Sequence, residues 1–187
     1  MARADASSKV LRPQRTVQAR GLRPSAPGSL RPGTRVSSRF AGGRVFANPQ
    51  DGFAIGNPPR SVDTYPLATV DGGKTWRTAG PVLHVPAAQA AVAVTQAGMR
   101  GPRMWFAWGS STVVDVTPDA GKHWWAAFLP GEVLTVYGAS NLCGRLIAVV
   151  EPFTKRSKPP LWTYVSTSGR RWIYAPKPNV GRDCPAL

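Results

Sequence analysis

Tryptophan recurs at positions 76, 124 and 172, twice at an interval of 48 residues. Each closes a similar stretch: Thr69-Val-Asp71-Gly-Gly73-Lys-Thr-Trp76, Thr117-Pro-Asp119-Ala-Gly121-Lys-His-Trp124 and Val165-Ser-Thr167-Ser-Gly169-Arg-Arg-Trp172. The shared pattern is [ST]-x-D-x-G-x-x-W. It is complete in the first two copies and degraded in the third, where Val165 and Thr167 replace Thr and Asp. A fixed period of about 40–50 residues is the signature of a repeat architecture, and it limits the fold more than any other feature of the chain.

The pattern has the chemistry of a tight hairpin. An Asp carboxylate can accept hydrogen bonds from the backbone of its own turn. Gly at the fifth position reaches a positive φ without a Cβ penalty. Trp opens the next strand and offers a large apolar face for packing. Short β-rich runs flank each box, at 65–70, 112–116 and 161–165 before it and at 75–79, 124–129 and 172–175 after it. Further runs at 52–56, 104–109 and 145–150, and at 90–96 and 132–139, make about four strands per repeat. Nineteen Gly and nineteen Pro supply the punctuation that many short strands need. The expected fold is all-β: three four-stranded antiparallel blades of a partial β-propeller, at about 44–88, 89–131 and 132–187.

The charge is uneven. The chain carries 24 Lys+Arg against 9 Asp+Glu, a formal net charge of +15. Nine of those cations and a single acid, Asp5, fall in residues 1–40, whose only aromatic is Phe40. Prolines at 13, 24, 27 and 32 break any helix there. Residues 1–43 therefore read as a disordered basic arm. It fits a solvated tail, an Arg- and Ser-rich targeting peptide, or a polyanion-binding arm. No apolar stretch of a Sec-type signal peptide follows the Met, so an extracytoplasmic location would require a different start. No run is long and apolar enough to span a membrane.

The boxes resemble Asp-box (BNR) repeats, found in sialidases, photosystem II assembly-factor-like proteins and other bacterial propellers. Phe46-Ala-Asn-Pro-Gln-Asp-Gly52-Phe53-Ala-Ile-Gly56, followed by the first box, resembles the assembly-factor branch most. The resemblance covers about 44–187 and implies a structural role for Thr69, Asp71, Gly73, Trp76, Thr117, Asp119, Gly121, Trp124, Thr167, Gly169 and Trp172. It implies no particular activity. Closure of a propeller needs about 4–8 blades. Three blades imply an open arc, a truncated product, or self-association into a ring.

Catalytic signals are weak. A sialidase-like glycosidase is the alternative reading, and it needs an arginine triad, a Tyr–Glu pair and an Asp acid. The only glutamates are Glu132 and Glu151. Tyr137 stands five residues from Glu132, which in a regular strand puts the two on opposite faces. With His84 and His123 the only histidines and no C-x-x-C, no metal site is expected, and nothing points to a cofactor. Cys143 and Cys184 are either a disulfide or two free thiols.

The boxes join the third and fourth strands of each blade. Ligand surfaces are therefore expected on the opposite face, in the loops between second and third strands. Arg60, Asp63, Lys155, Arg156 and Lys158 occupy those loops, and Trp162 follows Pro159-Pro160. These are the candidate binding residues for another protein or a carboxylated or acidic ligand. The arm lacks aromatics for base stacking, which argues against nucleic acid. The expected function is a non-catalytic interaction module.

Overall fold

The computed structural model describes residues 12–23, 29–57, 63–83, 96–109, 111–139, 144–154 and 157–176. The chain forms β1 (Thr16–Gln18), β2 (Arg20–Gly21), β3 (Arg35–Val36), a 3₁₀ turn at Ser38–Phe40, and β4 (Gly42–Phe46). Then follow β5 (Gly52–Gly56), β6 (Tyr65–Thr69), β7 (Trp76–Thr78), β8 (Gln96–Arg100), β9 (Met104–Trp108), β10 (Val113–Thr117) and β11 (Trp125–Phe128). The last four strands are β12 (Glu132–Ala139), β13 (Arg145–Glu151), β14 (Trp162–Ser166) and β15 (Arg171–Tyr174).

These strands make three antiparallel sheets of five, in the orders β3-β7-β6-β5-β4, β2-β11-β10-β9-β8 and β1-β15-β14-β13-β12. Within each sheet four consecutive strands form a meander, the topology of a propeller blade. The result is an all-β arc of three blades. The first strands β4, β8 and β12 lie nearest the neighbouring blades, with β8 touching both β4 and β12.

The fifth strand corrects two expectations. Blades of four strands were expected, and residues 1–43 were expected to be unstructured. Instead the chain runs from β1 on the third blade to β2 on the second and β3 on the first, pairing with β15, β11 and β7. The described residues 16–23 and 29–36 thus strap the outer edge of the arc. Composition hides this because the arm has no apolar period of its own. It uses isolated residues, Val17 and Val36, each buried, with Leu22 and Leu30 packed beside the core. Its backbone groups meet edges that already exist: Ala19 N donates to Arg170 O, Leu22 N to Trp124 O, and Tyr174 N to Arg15 O, at 2.8, 2.8 and 3.0 Å. Capping β7, β11 and β15 also removes three exposed sheet edges.

The repeated tryptophans pack between blades. Trp124, 2% exposed, sits among Phe53, Ile55 and Leu83 of the first blade and Trp105 and Ala107 of its own. Its Nε1 donates to Ala79 O of the first blade at 3.0 Å. Trp172 likewise packs against Phe106, Val114 and Val116 of the second blade, but its Nε1 donates to Gly169 O of its own turn at 3.0 Å. At Trp76 the place that a neighbouring blade takes at Trp124 is filled by residues 30–41. Leu30, Val36, Phe40 and Ala41 cover Trp76, Tyr65 and Leu67. Tyr65 Oη accepts from Leu30 N at 3.1 Å.

One irregularity changes a face. In β12, Val133 pairs with Val150 and Thr135 with Val149, so Leu134 is the extra residue of a bulge. Val133 and Val136 both point into the core, and Glu132 and Tyr137 fall on the same face instead of opposite ones. They remain four register positions apart, about 13 Å along the strand.

The second hairpin contains a strained residue. Ala120 adopts φ 59°, where the matching Gly72 has φ 71°. A Cβ in this region carries a steric cost that glycine avoids. Ala120→Gly should therefore stabilise the fold by about 0.5–1 kcal/mol, raising the unfolding midpoint by about 2 °C in calorimetry.

Candidate functional site

The three turns before the tryptophans show how far the repeat is chemical. In the first, Gly73 N donates to Thr69 Oγ1 at 2.9 Å, and Thr69 Oγ1 donates to Asp71 Oδ1 at 2.7 Å. Thr75 closes it, its N donating to Asp71 Oδ1 at 2.9 Å and its hydroxyl to Oδ2 at 2.6 Å. The second repeats this with Gly121 N on Thr117 Oγ1, Thr117 on Asp119, and His123 in place of Thr75. His123 Nδ1 lies 2.6 Å from Asp119 Oδ2. The third is one residue shorter. Gly169 N donates to Ser166 Oγ at 2.9 Å, so the hydroxyl role belongs to Ser166 rather than Val165. Thr167 lies exposed at the tip and makes none of these bonds. Ser166 precedes Gly169 by three residues rather than four, a gap the aligned tryptophans conceal.

These bonds hold Asp71 well below the usual carboxylate range, at about 2, chiefly through the Thr75 hydroxyl, then the Thr75 backbone N–H and the Thr69 hydroxyl. Burial pushes Asp119 upward, but hydrogen bonds from the His123 side chain and backbone and from Thr117 outweigh it, and its net shift is down. A carboxyl that is more acidic in the native state stabilises the fold above its unfolded value of about 3.9 and loses that contribution as pH falls. The turn should therefore weaken between about pH 4 and pH 2. Asp71→Asn should flatten the acid limb of a midpoint-against-pH curve over that window. An unchanged limb would show that Asp71 does not report on folding.

Of the residues expected to form a ligand surface, Asp63, Lys158 and Trp162 are among the described ones. Arg60, Lys155 and Arg156 lie outside the described residues, as do Cys143 and Cys184. Asp63 holds its own loop, its carbonyl accepting from Asn57 Nδ2 at 3.1 Å and its carboxylate from Tyr65 Oη at 3.4 Å. Lys158 is exposed. Trp162 is 4% exposed and belongs to the core between the second and third blades, so it is not available to a ligand. Its indole turns inward because burial alternates along β14, where Trp162, Tyr164 and Ser166 are buried. Glu132 and Glu151 pair directly across β12 and β13, a like-charge juxtaposition with no third carboxylate or histidine grouped beside it among the described residues.

The structure instead builds recesses at the outer rim, on either side of β2. One, of about 570 Å³, is lined by Gln14, Thr16, Gln18, Arg20 and Phe128. The other, of about 400 Å³, is lined by Leu22, Pro32, Lys122, His123, Trp124 and Trp125. Arg170 stacks over Trp125 with its guanidinium carbon 4.1 Å from the ring centre, and Arg20 lies 6.0 Å over Phe128. His123 and Trp125 have ring centres 6.0 Å apart. Arg20, Lys122, Arg170, Arg171 and the ring of Phe128 are all exposed. Sequence reasoning missed this rim because its cations and rings come from three distant segments. The weak signal present was the clustering of aromatics at 123–128 beside the third copy's Arg170-Arg171.

No protein-family model matches the chain, and no curated protein matches it. Among solved structures it is similar to one described as YCF48 bound to D1 peptide, with 14% identity and a TM-score of 0.45. That likeness covers 81% of this chain and 46% of the other, so the chain spans less than half of that structure.

Proposed function

We propose that the chain is a non-catalytic β-propeller binding module, of the assembly-factor kind that its hairpin boxes resemble, and that its ligand is anionic. The observation that carries this reading is the outer rim. Two recesses open there beside exposed arginines, and the acid at this rim, Asp119, is engaged by the turn and by His123. Unbalanced like charge on a folded surface favours an anionic partner. The pairing of Arg35 directly opposite Arg77 across β3 and β7 adds to that imbalance. A structural role for the boxes agrees with this reading, since their carboxylates bond to their own backbone. The test is isothermal titration of the full chain against poly-glutamate, a 20-mer oligonucleotide and a neutral polymer at low salt. Binding of at least one polyanion and not of the neutral polymer supports the reading. Equal, salt-independent behaviour towards all three rejects it.

A further inference from the structure

We propose that the recess at the seam of the first and second blades binds a small aromatic carboxylate, its ring seated against Leu22, Pro32, Pro81 and Trp124 and its carboxylate on the Lys122 ammonium. This deepens the reading above and rests on it. Three distant segments meet here. The arm brings Leu22 and Pro32, the end of the first blade brings Pro81, and the second hairpin brings Lys122 and Trp124. The space between them, about 400 Å³, falls within the range of about 300–1,000 Å³ of small-molecule clefts. Trp125 also borders it, but Arg170 already lies over that ring, so Trp125 is no part of the contact.

What the walls leave unspent selects the ligand. Trp124 Nε1 donates to Ala79 O at 3.0 Å, Leu22 N to Trp124 O at 2.8 Å, and Gly121 N to Thr117 Oγ1 at 2.9 Å. The backbone N–H and Nδ1 of His123 are both held by Asp119. Prolines have no N–H to offer. The walls therefore present a ligand with apolar surface and with the ammonium of Lys122, which is exposed and stands outside the ion pair of His123 with Asp119. A rigid apolar body with one anionic group matches that set. A ligand rich in polar groups would bury them here without partners. The neighbouring recess differs, because Gln14, Thr16, Gln18 and Arg20 line it with amides, a hydroxyl and a guanidinium. Gly21 borders the seam recess, and a Cβ there would meet only Trp125 Nε1, at 4.0 Å. A larger side chain can therefore enter from that position without collision.

The experiment is isothermal titration of the full chain at low salt with naphthoate, its neutral analogue naphthylmethanol, decanoate and poly-glutamate. Wild type should bind naphthoate about fivefold more tightly than naphthylmethanol, and Lys122→Ala should erase that preference. Gly21→Leu, which fills the recess, should weaken naphthoate by about tenfold or more while its circular dichroism melt matches wild type. Should that variant melt early, the Lys122→Ala comparison decides alone. Lys74→Ala, an exposed cation on the first blade, should change naphthoate affinity less than about twofold. Naphthoate affinity untouched by a folded Gly21→Leu, or equal binding of naphthoate and naphthylmethanol, overturns the assignment. Decanoate binding more tightly than naphthoate overturns the aromatic class. Poly-glutamate binding without naphthoate binding overturns this site and leaves the anionic reading standing. Failure of every anion to bind brings down both.

Discussion

Removal of residues 1–23 should lower the unfolding midpoint by about 10 °C, against a basal expectation of no change for a solvated tail. The deletion strips β1 and β2 from the second and third blades. It uncovers the core beside Val17, which is 5% exposed, and removes Leu22 from the cluster around Trp124. It also leaves Tyr164 Oη without Gln14 O, its acceptor at 3.0 Å. Burial holds that phenol's pKa up at about 12, so it titrates only at extreme pH and acts as a neutral donor. The two apolar anchors are worth roughly 1.5 kcal/mol each, and about 3 kcal/mol at roughly 3 °C per kcal/mol for a chain of this size gives the expected shift. A single variant, Val17→Asp, separates strand loss from truncation, because a charge at that position has no partner in the surrounding apolar cluster. A midpoint within about 2 °C of wild type for both variants would return the arm to the solvent.

Trp124→Ala should destabilise the fold by about 3–5 kcal/mol in urea titration. The indole fills the seam between the first and second blades, its ring centre 5.9 Å from Phe53, while Phe53 stacks on Trp105 at 5.2 Å. Removing it leaves a cavity whose walls belong to two sheets, and neither can close it without shifting the other. Gly80 and Gly121 already pack backbone to ring and backbone to backbone across this seam, with no room for a Cβ at either. The polar end of the ring gives a sharper comparison. Trp124 Nε1 bonds Ala79 O, whereas the buried Nε1 of Trp76 has no hydrogen-bond partner among the described residues. Replacing each by Phe removes similar volume, but only Trp124→Phe strands a carbonyl. Trp124→Phe should therefore cost about 1 kcal/mol more than Trp76→Phe. Equal costs would mean that the Ala79 bond carries no net stability.

The missing partner of Trp76 has a simple origin. At the second blade the acceptor comes from the end of the preceding blade's fourth strand. At the first blade residues 30–41 substitute for that blade with apolar side chains and supply the bulk without the carbonyl. The cap matches the shape of a neighbour and not its hydrogen bonding. Phe40 O nevertheless sits so close to Gly56 that any side chain there would collide, which fixes the cap against β5.

Much of the blade interior was readable from the chain alone. Hairpin boxes at a constant interval, with β-rich flanks and a ring at the start of the fourth strand, specify short antiparallel strands, because side-chain oxygens and positive-φ glycines act within a few residues of themselves. Thr69, Asp71, Gly73 and Trp76 meet in one turn for that local reason. Three features lay beyond such reasoning. Ser166 could displace Val165 in the third turn because one fewer residue bridges the same hairpin, and only the pairing of Leu146 with Ser166 reveals the register. Trp162 follows two prolines as an exposed loop residue would, yet strand alternation turns it inward. The bulge at Leu134 reverses the face of everything before it, and a period-two pattern cannot anticipate an inserted residue.

Local chemistry set the repeated hairpins, and therefore the number of blades and the positions of their tryptophan wedges, because each hairpin closes on its own backbone. The fate of the basic arm and the location of the rim were decided by tertiary structure. A strand of two or three residues has no stability until an edge exists for it to pair with, so its conformation depends on β7, β11 and β15, which form much later in the chain. The arginines of the arm acquire aromatic neighbours only through that pairing, across intervals of about a hundred residues that no local pattern records.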